Sequence, residues 1–299
     1  MTADKDAENM EIRGYTINAF AKEAGGGNPA GIVFDADRLS EQEMRKIAKK
    51  LGYSETAFVM KSNPADFHLR FFTTEEEVDL CGHATIGTFS AMSQLGMIKE
   101  GGYLQETKAG VLEVIVDSDH KVMMQMSLPE FGATIAKREI AESLNLDESK
   151  IDAHLPIQIV STGLKDLIVP IPDRETVDAM QPDFEKIKQI SQKYGIVGYH
   201  VFCTEPLDTA HTAYCRNFAP LYGIAEESAT GTSNGALGCY LFHVSDVDRK
   251  GQIRYVMEQG YGMKRPSEIE VELLFDRHNI KDVKVGGAAN DLSPFVFEL

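Results

Sequence analysis

Three short stretches of the sequence carry side chains that can hold or move protons: YSETAFV, VDLCGHATIGT and IAEESATGTSNGALG. The first contains Glu55 among apolar neighbours, the second contains Cys81 and His83, and the third contains Glu227. Burying a carboxylate among apolar side chains is costly, so such a position indicates a purpose. Paired acidic groups in one apolar cleft suit general acid/base chemistry, because desolvation and mutual repulsion raise one pKa. We therefore take Glu55 and Glu227 as candidates for proton handling.

The second and third stretches each predict a tight corner that leads into a helix. Both contain an Ala-Thr pair followed by glycine and threonine. A helix N-terminus offers unpaired N–H groups and a partial positive charge, which suit a carboxylate or an oxyanion. The small residues Gly82, Ala84, Gly231 and Thr232 let the backbone approach a ligand closely. One such corner would be interpreted as a capping turn, whereas two matched corners facing one cleft predict an anion-binding site.

The corners belong to a series of elements that occurs twice. LSEQEMRKIAKKLG predicts a helix with a capping box of Ser40 and Glu43 and with Gly52 after its end. PDFEKIKQISQKYG predicts a second helix, capped by Asp183 and ended by Gly195. The two glycines are 143 residues apart, and strand and corner motifs downstream recur at spacings of 143 to 146. The chain is therefore predicted to contain two α/β units of like topology.

The two units carry different side chains at the positions that could take part in chemistry. At these spacings Glu55 corresponds to Tyr199, and Gly82 corresponds to Glu227. Each unit therefore contributes a carboxylate, but at a non-equivalent position of a symmetric scaffold.

The repeat also predicts the domain organisation. The first domain is expected over residues 1–128 and the second over residues 129–289. Clefts between domains are favoured ligand sites, so the site is expected between them. The last strand, about residues 290–299, is a candidate to return to the first domain.

The net charge of the chain limits the classes of partner that it can bind. The 299 residues carry a formal net charge of −16, which repels nucleic acid backbones and anionic lipid surfaces. A small anionic substrate is still compatible, because a local site can oppose the global field. No apolar run approaches the roughly 18 residues that span a bilayer. We therefore expect neither nucleic acid nor a membrane as a partner.

The cysteine and histidine patterns show no metal or redox motif. The four cysteines lack Cys-x-x-Cys spacing, and the eight histidines show no His-x-x-x-His pattern on a helix. Four thiols in a chain of this length indicate a reducing compartment. The polar N-terminal stretch MTADKDAENMEIRG lacks the basic and apolar regions of a signal peptide. We expect a cytoplasmic protein without a metal centre.

Taken together, the motifs resemble the PhzF-like isomerases of the diaminopimelate-epimerase-like fold. The stretches that carry the resemblance run from Asn28 to Gly287 in the family's order: GGGNPAGIV, YSETAFV, LRFFTTEEEVDLCGHATIGT, ETKAG, RNFAPLYGIAEESATGTSNGALGCYL, EQGYGMKRPSEI and VKVGG. The resemblance implies an α+β fold of two pseudo-symmetric domains, each a curved, mostly antiparallel sheet wrapped around a central helix. It also implies no cofactor, no metal ion and often a homodimer.

The resemblance further implies roles for single residues. Glu55 would be the acid/base, with His83 and Glu227 as the other catalytic residues. The residues implied to contact the substrate are Asn28, Ser54, Gly82, Gly231 and Thr232. The family usually reads Asp-Pro-Ala-Thr-Gly-Ser where this chain reads ESATGT, and Lys264 stands where glycine is expected. These departures leave the acid/base role in place and the substrate open.

The predicted function is a cofactor-independent isomerase that moves a proton within a small carboxylate-bearing substrate. One alternative is an amino-acid racemase or epimerase with a mixed thiol/carboxylate pair, since Cys81 has no partner thiol in the second corner. Another is a non-catalytic protein that binds small anions, against which Glu55 argues. GGGNPAG lacks the spacing of a nucleotide loop and precedes a predicted strand, so that interpretation is rejected.

Overall fold

The computed structural model describes residues 11–245 and 250–299, so most of the polar N-terminal stretch lies outside the described residues. The helices are α1 (Glu41–Leu51), α2 (Gly82–Gln94), α3 (Lys137–Ser143), α4 (Arg174–Ala179), α5 (Phe184–Tyr194) and α6 (Gly231–Val244). The strands of the first half are β1 (Glu11–Ala19), β2 (Asn28–Val33), β3 (Thr56–Met60), β4 (Phe67–Phe72), β5 (Glu77–Val78), β6 (Gly101–Thr107), β7 (Gly110–Val116) and β8 (Val122–Gln125). The remaining strands are β9 (Glu130–Thr134), β10 (Gln158–Ser161), β11 (Lys165–Pro170), β12 (Gly198–Cys203), β13 (Ala213–Ala219), β14 (Ile224–Glu227), β15 (Lys250–Gln259), β16 (Ser267–Asp276), β17 (Asn279–Gly287) and β18 (Ala289–Glu298). This mixture of sheet and a few helices confirms the α+β class.

The two helices that the sequence predicted from their caps are confirmed. In α1 the Ser40 hydroxyl accepts a hydrogen bond from the Glu43 backbone N–H, and the Glu43 carboxylate accepts one from the Ser40 N–H. In α5 the Asp183 carboxylate accepts a hydrogen bond from a backbone N–H of the first turn. Gly52 and Gly195 follow the two helices with φ of 71° and 63°, in the left-handed region that favours glycine. Among the described helices, none is long and apolar enough to cross a membrane.

The strand pairings of the two halves repeat in the same order. In the first half β1–β2, β3–β4, β4–β5, β6–β7 and β7–β8 are antiparallel, and β2–β3 and β4–β6 are parallel. Strands β10 to β17 form the same series of pairs with the same directions. This repetition confirms two units of like topology.

Each half encloses one central helix. In α2 every residue from His83 to Ser93 is buried, and in α6 every residue from Ser233 to Tyr240 is buried. These helices contain apolar and small residues on all faces, so they can be surrounded by sheet instead of lying on its surface. The N-termini of the two central helices are the two predicted corners.

The halves are joined by strand pairs. β8 pairs with β17, and β18 lies antiparallel to β1. The largest cluster of buried apolar side chains includes Phe89 of α2 and Leu237 of α6. The domain boundaries near residues 128 and 289 stay a prediction, because this cluster extends across both halves.

The strand register corrects two correspondences between the halves. Arg70 of β4 and Arg216 of β13 are equivalent, because each forms two hydrogen bonds with a glutamate of the following strand. Each arginine lies opposite one residue of the neighbouring antiparallel strand. Thr56 of β3 and Tyr199 of β12 each lie two residues before that opposite residue, so the two are equivalent. The predicted correspondence of Tyr199 with Glu55 is therefore wrong by one residue. The physical reason is that the additional residues of the second half lie in the longer loop between β12 and β13.

The second correction concerns Glu227. It pairs with Asn217 as Val78 pairs with Phe71, so Glu227 is equivalent to Val78 and its predicted correspondence with Gly82 is wrong. The physical reason is that the chain between Asn217 and Glu227 is longer than the chain between Phe71 and Val78. The two carboxylates still occupy non-equivalent positions of the two halves.

Candidate active site

A histidine lies between two carboxylates that come from different halves of the chain. His83 Nε2 is 3.2 Å from Glu55 Oε2, and His83 Nδ1 is 3.8 Å from Glu227 Oε1. The side chains are mostly buried, with exposed fractions of 5% for His83, 15% for Glu55 and 16% for Glu227. The structure thus brings together the three residues that were predicted to be catalytic, although their roles stay predictions.

These side chains lie where elements of the two halves begin or end. Glu55 directly precedes β3, His83 is the second residue of α2, and Glu227 is the last residue of β14. Cys81 and Thr230, the residues just before α2 and α6, accept no hydrogen bond from these helices through their side chains. N–H groups of the first turn of each helix are therefore available to an anion.

Both oxygens of Glu227 accept hydrogen bonds. Asn28 Nδ2 donates to Oε1 at 2.9 Å, and Thr230 Oγ1 donates to Oε2 at 2.5 Å. Burial raises the pKa of Glu227 above its ordinary value, an effect that the charge of Glu55 reinforces and that His83 and the two hydrogen bonds oppose. Asn28 begins β2 in the first half, so this carboxylate is held by donors from both halves.

The surroundings of the Glu55 carboxylate differ from those of Glu227. Its Oε2 atom is buried, and among the described residues no donor reaches it in hydrogen-bond geometry. His83 Nε2, which lies 3.2 Å from this oxygen, is instead within hydrogen-bond distance of the Ser54 hydroxyl, at 3.3 Å. A buried carboxylate oxygen without a donor costs free energy, and a proton or a ligand donor would remove that cost. The arrangement leaves Glu55 able to accept a proton, whereas Glu227 is occupied.

Cys81 lies beside the same imidazole, with Sγ 3.5 Å from His83 Nδ1. Burial raises the pKa of the Cys81 thiol, and the charges of Glu55 and Glu227 add to this effect, so the neutral thiol is favoured. The ligand atoms of Glu55, Cys81 and His83 lie within 4.8 Å of one another, and such donors could hold a metal ion. This cluster does not follow the His-x-x-x-His pattern of a helix, because its members come from the start of a strand and the start of a helix.

A metal ion could bind the sulfur of Cys81 only if the thiol lost its proton. Cysteine binds metal as the thiolate, so a raised pKa lowers the affinity of the cluster for a cation at neutral pH. The expectation that the protein uses no metal stays a prediction.

The other predicted residues lie at the two corners. Gly82 and Gly231 are the first residues of α2 and α6. A Cβ at Gly82 would meet only Met124 Cε at 3.8 Å, so there is space beside this stretch of backbone. The Thr232 carbonyl oxygen accepts a hydrogen bond from Thr162 Oγ1 at 3.2 Å, but no described contact joins the Thr232 hydroxyl to the three catalytic candidates.

Sequence reasoning missed Thr230 and Gln259. Gln259 Nε2 donates to the Glu227 carbonyl oxygen at 2.8 Å and to Thr230 Oγ1 at 3.2 Å. The next residue, Gly260, has a φ of 82°, and a Cβ there would lie 2.5 Å from the Ser228 carbonyl oxygen. The signal in the sequence was EQGYG, in which a polar residue precedes a glycine that the turn requires.

Comparison with known proteins identifies the family. A model of the phenazine biosynthesis-like family, PhzC-PhzF, matches residues 17–293. The chain belongs to this family. An uncharacterized isomerase of Clostridium acetobutylicum is 36% identical over 284 residues, which cover 92% of this chain and 94% of that protein. The trans-2,3-dihydro-3-hydroxyanthranilate isomerase of Pseudomonas chlororaphis is 29% identical over 258 residues, which cover 84% and 86%.

Solved structures agree with this assignment. A PhzF-family protein of Bacillus anthracis has a TM-score of 0.89 at 31% identity, with 96% of this chain and 99% of that chain covered. A hydroxyproline epimerase of Agrobacterium vitis has a TM-score of 0.62 at 13% identity, with 97% and 93% covered, a likeness that concerns the fold alone. The predictions of a PhzF-like isomerase and of an epimerase-like fold are confirmed. The homodimer, the cytoplasmic location and independence from cofactors stay predictions for this PhzF-family isomerase.

We expect Cys81→Ser to keep turnover within about threefold of the wild type, a change below 1 kcal/mol in the barrier. The serine hydroxyl can keep the contact with His83, and the neutral thiol is a poor base. The measurement is turnover of the first substrate that the wild type isomerises, with Cys239→Ser as a matched buried control. A loss of more than about 100-fold in Cys81→Ser alone would favour the mixed thiol/carboxylate epimerase.

Proposed function

We propose that this PhzF-family isomerase moves a proton within one bound small carboxylate, with Glu55 as the single proton carrier. The observation that supports this is the difference between the two carboxylates. Both Glu227 oxygens accept hydrogen bonds, whereas the buried Glu55 Oε2 has no donor among the described residues. A general base needs an oxygen that is free to take the proton it removes, and an oxygen without a donor meets that requirement.

The proposed reaction needs no external reagent. The Glu55 carboxylate removes a proton from an acidic carbon of the substrate, and the electron pair of the broken C–H bond moves into an adjacent unsaturated system. The neutral Glu55 carboxyl then returns the proton to a different carbon, and the double bond changes position. Electrons and protons balance within one molecule, so no oxidant, reductant or cofactor is required.

The surroundings of Glu55 would stabilise the charge that develops on the substrate. His83 lies between the two carboxylates and can donate to an oxygen that becomes negative. The first turns of α2 and α6 offer N–H groups to a substrate carboxylate. Donors that are fixed before the reaction stabilise such charge without reorganisation. In this proposal Gly82, Gly231 and Thr232 contact the substrate through these two turns.

The proposed substrate class is an unsaturated cyclic or amino-acid-like carboxylate. The relative from Pseudomonas chlororaphis is named for trans-2,3-dihydro-3-hydroxyanthranilate, so that compound is the first candidate of a panel. This chain has Glu227 where the family resemblance implies aspartate. The longer side chain changes the shape of the cleft, so the panel should include smaller carboxylates.

The test is isomerisation of the panel in deuterated water, followed by NMR and mass spectrometry. A single proton carrier predicts deuterium at the carbon that receives the proton, to an extent set by exchange on Glu55, without inversion of an existing stereocentre. Nearly complete labelling of an inverted product would instead support the racemase or epimerase. A folded protein that binds a panel member but labels none would support the non-catalytic alternative.

A further inference from the structure

A series of hydrogen bonds leads from Glu227 into the interior of the second half. We call it the donor chain and define it as the side chains of Thr230, Gln259, Asn234, His200 and Asn217. Its links are Thr230 Oγ1 to Glu227 Oε2 at 2.5 Å, Gln259 Nε2 to Thr230 Oγ1 at 3.2 Å, Asn234 Nδ2 to Gln259 Oε1 at 2.7 Å, His200 Nε2 to Asn234 Oδ1 at 3.2 Å, and Asn217 Nδ2 to His200 Nδ1 at 3.1 Å. All its members except Thr230 are buried.

Backbone groups determine which end of each amide donates. Gln259 Oε1 accepts from the Thr230 N–H at 3.2 Å, and Gln259 Nε2 donates to the Glu227 carbonyl oxygen. Asn234 Nδ2 donates to the Thr230 carbonyl oxygen at 2.9 Å. A backbone N–H only donates and a carbonyl only accepts, so neither amide can be reversed without losing these bonds.

The tautomer of His200 follows from these amides. Asn234 Oδ1 can only accept, so His200 Nε2 carries a hydrogen and donates it. Burial lowers the pKa of His200 to about 4 and favours the neutral ring, so Nδ1 carries no hydrogen. His200 Nδ1 therefore accepts a hydrogen bond from Asn217 Nδ2. Each of the five links of the donor chain, from Asn217 to Thr230, thus points toward the carboxylate of Glu227.

The first half shows that the fold does not require polar side chains at these positions. The equivalent arginines of β4 and β13 set the register, in which the cross-strand pair His200–Asn217 corresponds to the pair Ala57–Phe71. Ala57 and Phe71 are fully buried and apolar. Burying polar groups costs desolvation that an apolar pair avoids. Packing alone therefore does not explain the donor chain.

We propose that the donor chain is a positioning device for Glu227, which it holds as a fixed hydrogen-bond acceptor at the cleft. Hydrogen bonds that point in one direction polarise one another at low dielectric, so the Thr230 hydroxyl becomes a stronger donor to the carboxylate. The inference rests on the proposed function for the use of Glu227 in the reaction. A fixed Glu227 leaves Glu55 as the group whose protonation changes during turnover.

The far end of the donor chain meets a second buried carboxylate. Asn217 Nδ2 also donates to Ser233 Oγ at 3.0 Å, and Ser233 Oγ donates to Asp166 Oδ2 at 2.8 Å. Burial raises the pKa of Asp166 to about 7. The titratable groups of the first half that act on Glu227 are His83, Glu55 and Cys81. A test must therefore follow Glu227 itself and not only the pH dependence of the whole protein.

The test is a carbon-13 NMR titration of the Glu227 carboxyl in the whole free protein, with Glu227→Gln to identify its resonance. Gln259→Met removes the link next to Thr230. The double variant H200A/N217F installs the apolar pair that the first half contains at the equivalent place. We expect the pKa of Glu227 to rise by about 0.5–1 unit in both variants, because the ionised form loses a polarised donor.

Gln105→Met is the matched control, since Gln105 is a fully buried glutamine of the first half. It should leave the pKa of Glu227 within about 0.2 unit of the wild-type value. If Gln259→Met and H200A/N217F also leave the pKa of Glu227 within that margin, the donor chain serves packing only. The proposal is then overturned, whatever happens to the melting temperature. If the double variant does not fold, Gln259→Met decides. The titration needs no substrate, so its failure is distinguishable from failure of the labelling assay.

Discussion

Replacing Glu55 by glutamine is expected to lower turnover by roughly 10²–10⁴-fold, the usual effect of removing a general acid/base. The two side chains are nearly isosteric. Among the described residues no donor bonds Glu55 Oε2, so the amide loses no described hydrogen bond at that atom. An amide cannot carry the proton between two carbons. The measurement is kcat/KM for a panel member that the wild type labels, together with the melting temperature of each protein.

The control for Glu55→Gln is Glu100→Gln, which makes the same chemical change at an exposed position. It should retain wild-type turnover, because a lone surface substitution changes stability by less than about 0.5 kcal/mol. Wild-type turnover in the Glu55→Gln protein would contradict the single-carrier mechanism. A loss of turnover at an unchanged melting temperature would support it.

Replacing Glu227 by glutamine is expected to lower turnover by roughly 10²–10³-fold, comparable to the loss of one electrostatic contact in a catalytic site. The amide nitrogen must face either Asn28 Nδ2, which can only donate, or Thr230 Oγ1, whose hydroxyl would have to turn and accept. The first contact is repulsive, the second reverses an existing hydrogen bond, and in both cases the negative charge opposite His83 is lost. The measurement is the ratio of kcat and KM to the wild-type values for the labelled substrate.

Glu227→Asp is the conservative partner of this variant. It keeps the charge and carries the residue that the family resemblance implies at this position, so we expect turnover within about tenfold of the wild type. If Glu227→Gln and Glu227→Asp lose the same amount of activity, the length of the side chain matters and not its charge. That result would count against Glu227 as a fixed charged acceptor.

The sequence was sufficient wherever a structure depends on residues that are close together in the chain. Helices α1 and α5 were predicted with their caps, because each cap is a bond from a side chain to a backbone group three residues away. The two corners and the repeated units were also readable, since each consists of a local motif that recurs at a nearly constant spacing. Motif order likewise predicted the family and the epimerase-like fold, which the comparisons confirm.

The sequence was insufficient wherever a contact depends on strand register. Tyr199 was assigned to the wrong partner by one residue, and in a strand such a shift moves a side chain to the opposite face. Gln259 was overlooked, although it bonds Glu227 from 32 residues away. The cluster of Glu55, Cys81 and His83 was overlooked as a possible set of metal ligands, because it joins the start of a strand to the start of a helix.

For this protein the sequence alone determined which residues could handle protons and which helix N-termini could hold an anion. Only the tertiary structure decided that Glu55 and Glu227 lie on opposite sides of His83. It also decided that both oxygens of Glu227 accept hydrogen bonds, whereas Glu55 Oε2 accepts none from the described residues. The physical reason is that residue type sets the chemistry of a side chain, whereas its hydrogen-bond partners are set by distant strands and helices. Asn28 and Glu227, separated by 199 residues, became partners only when the two halves packed against each other.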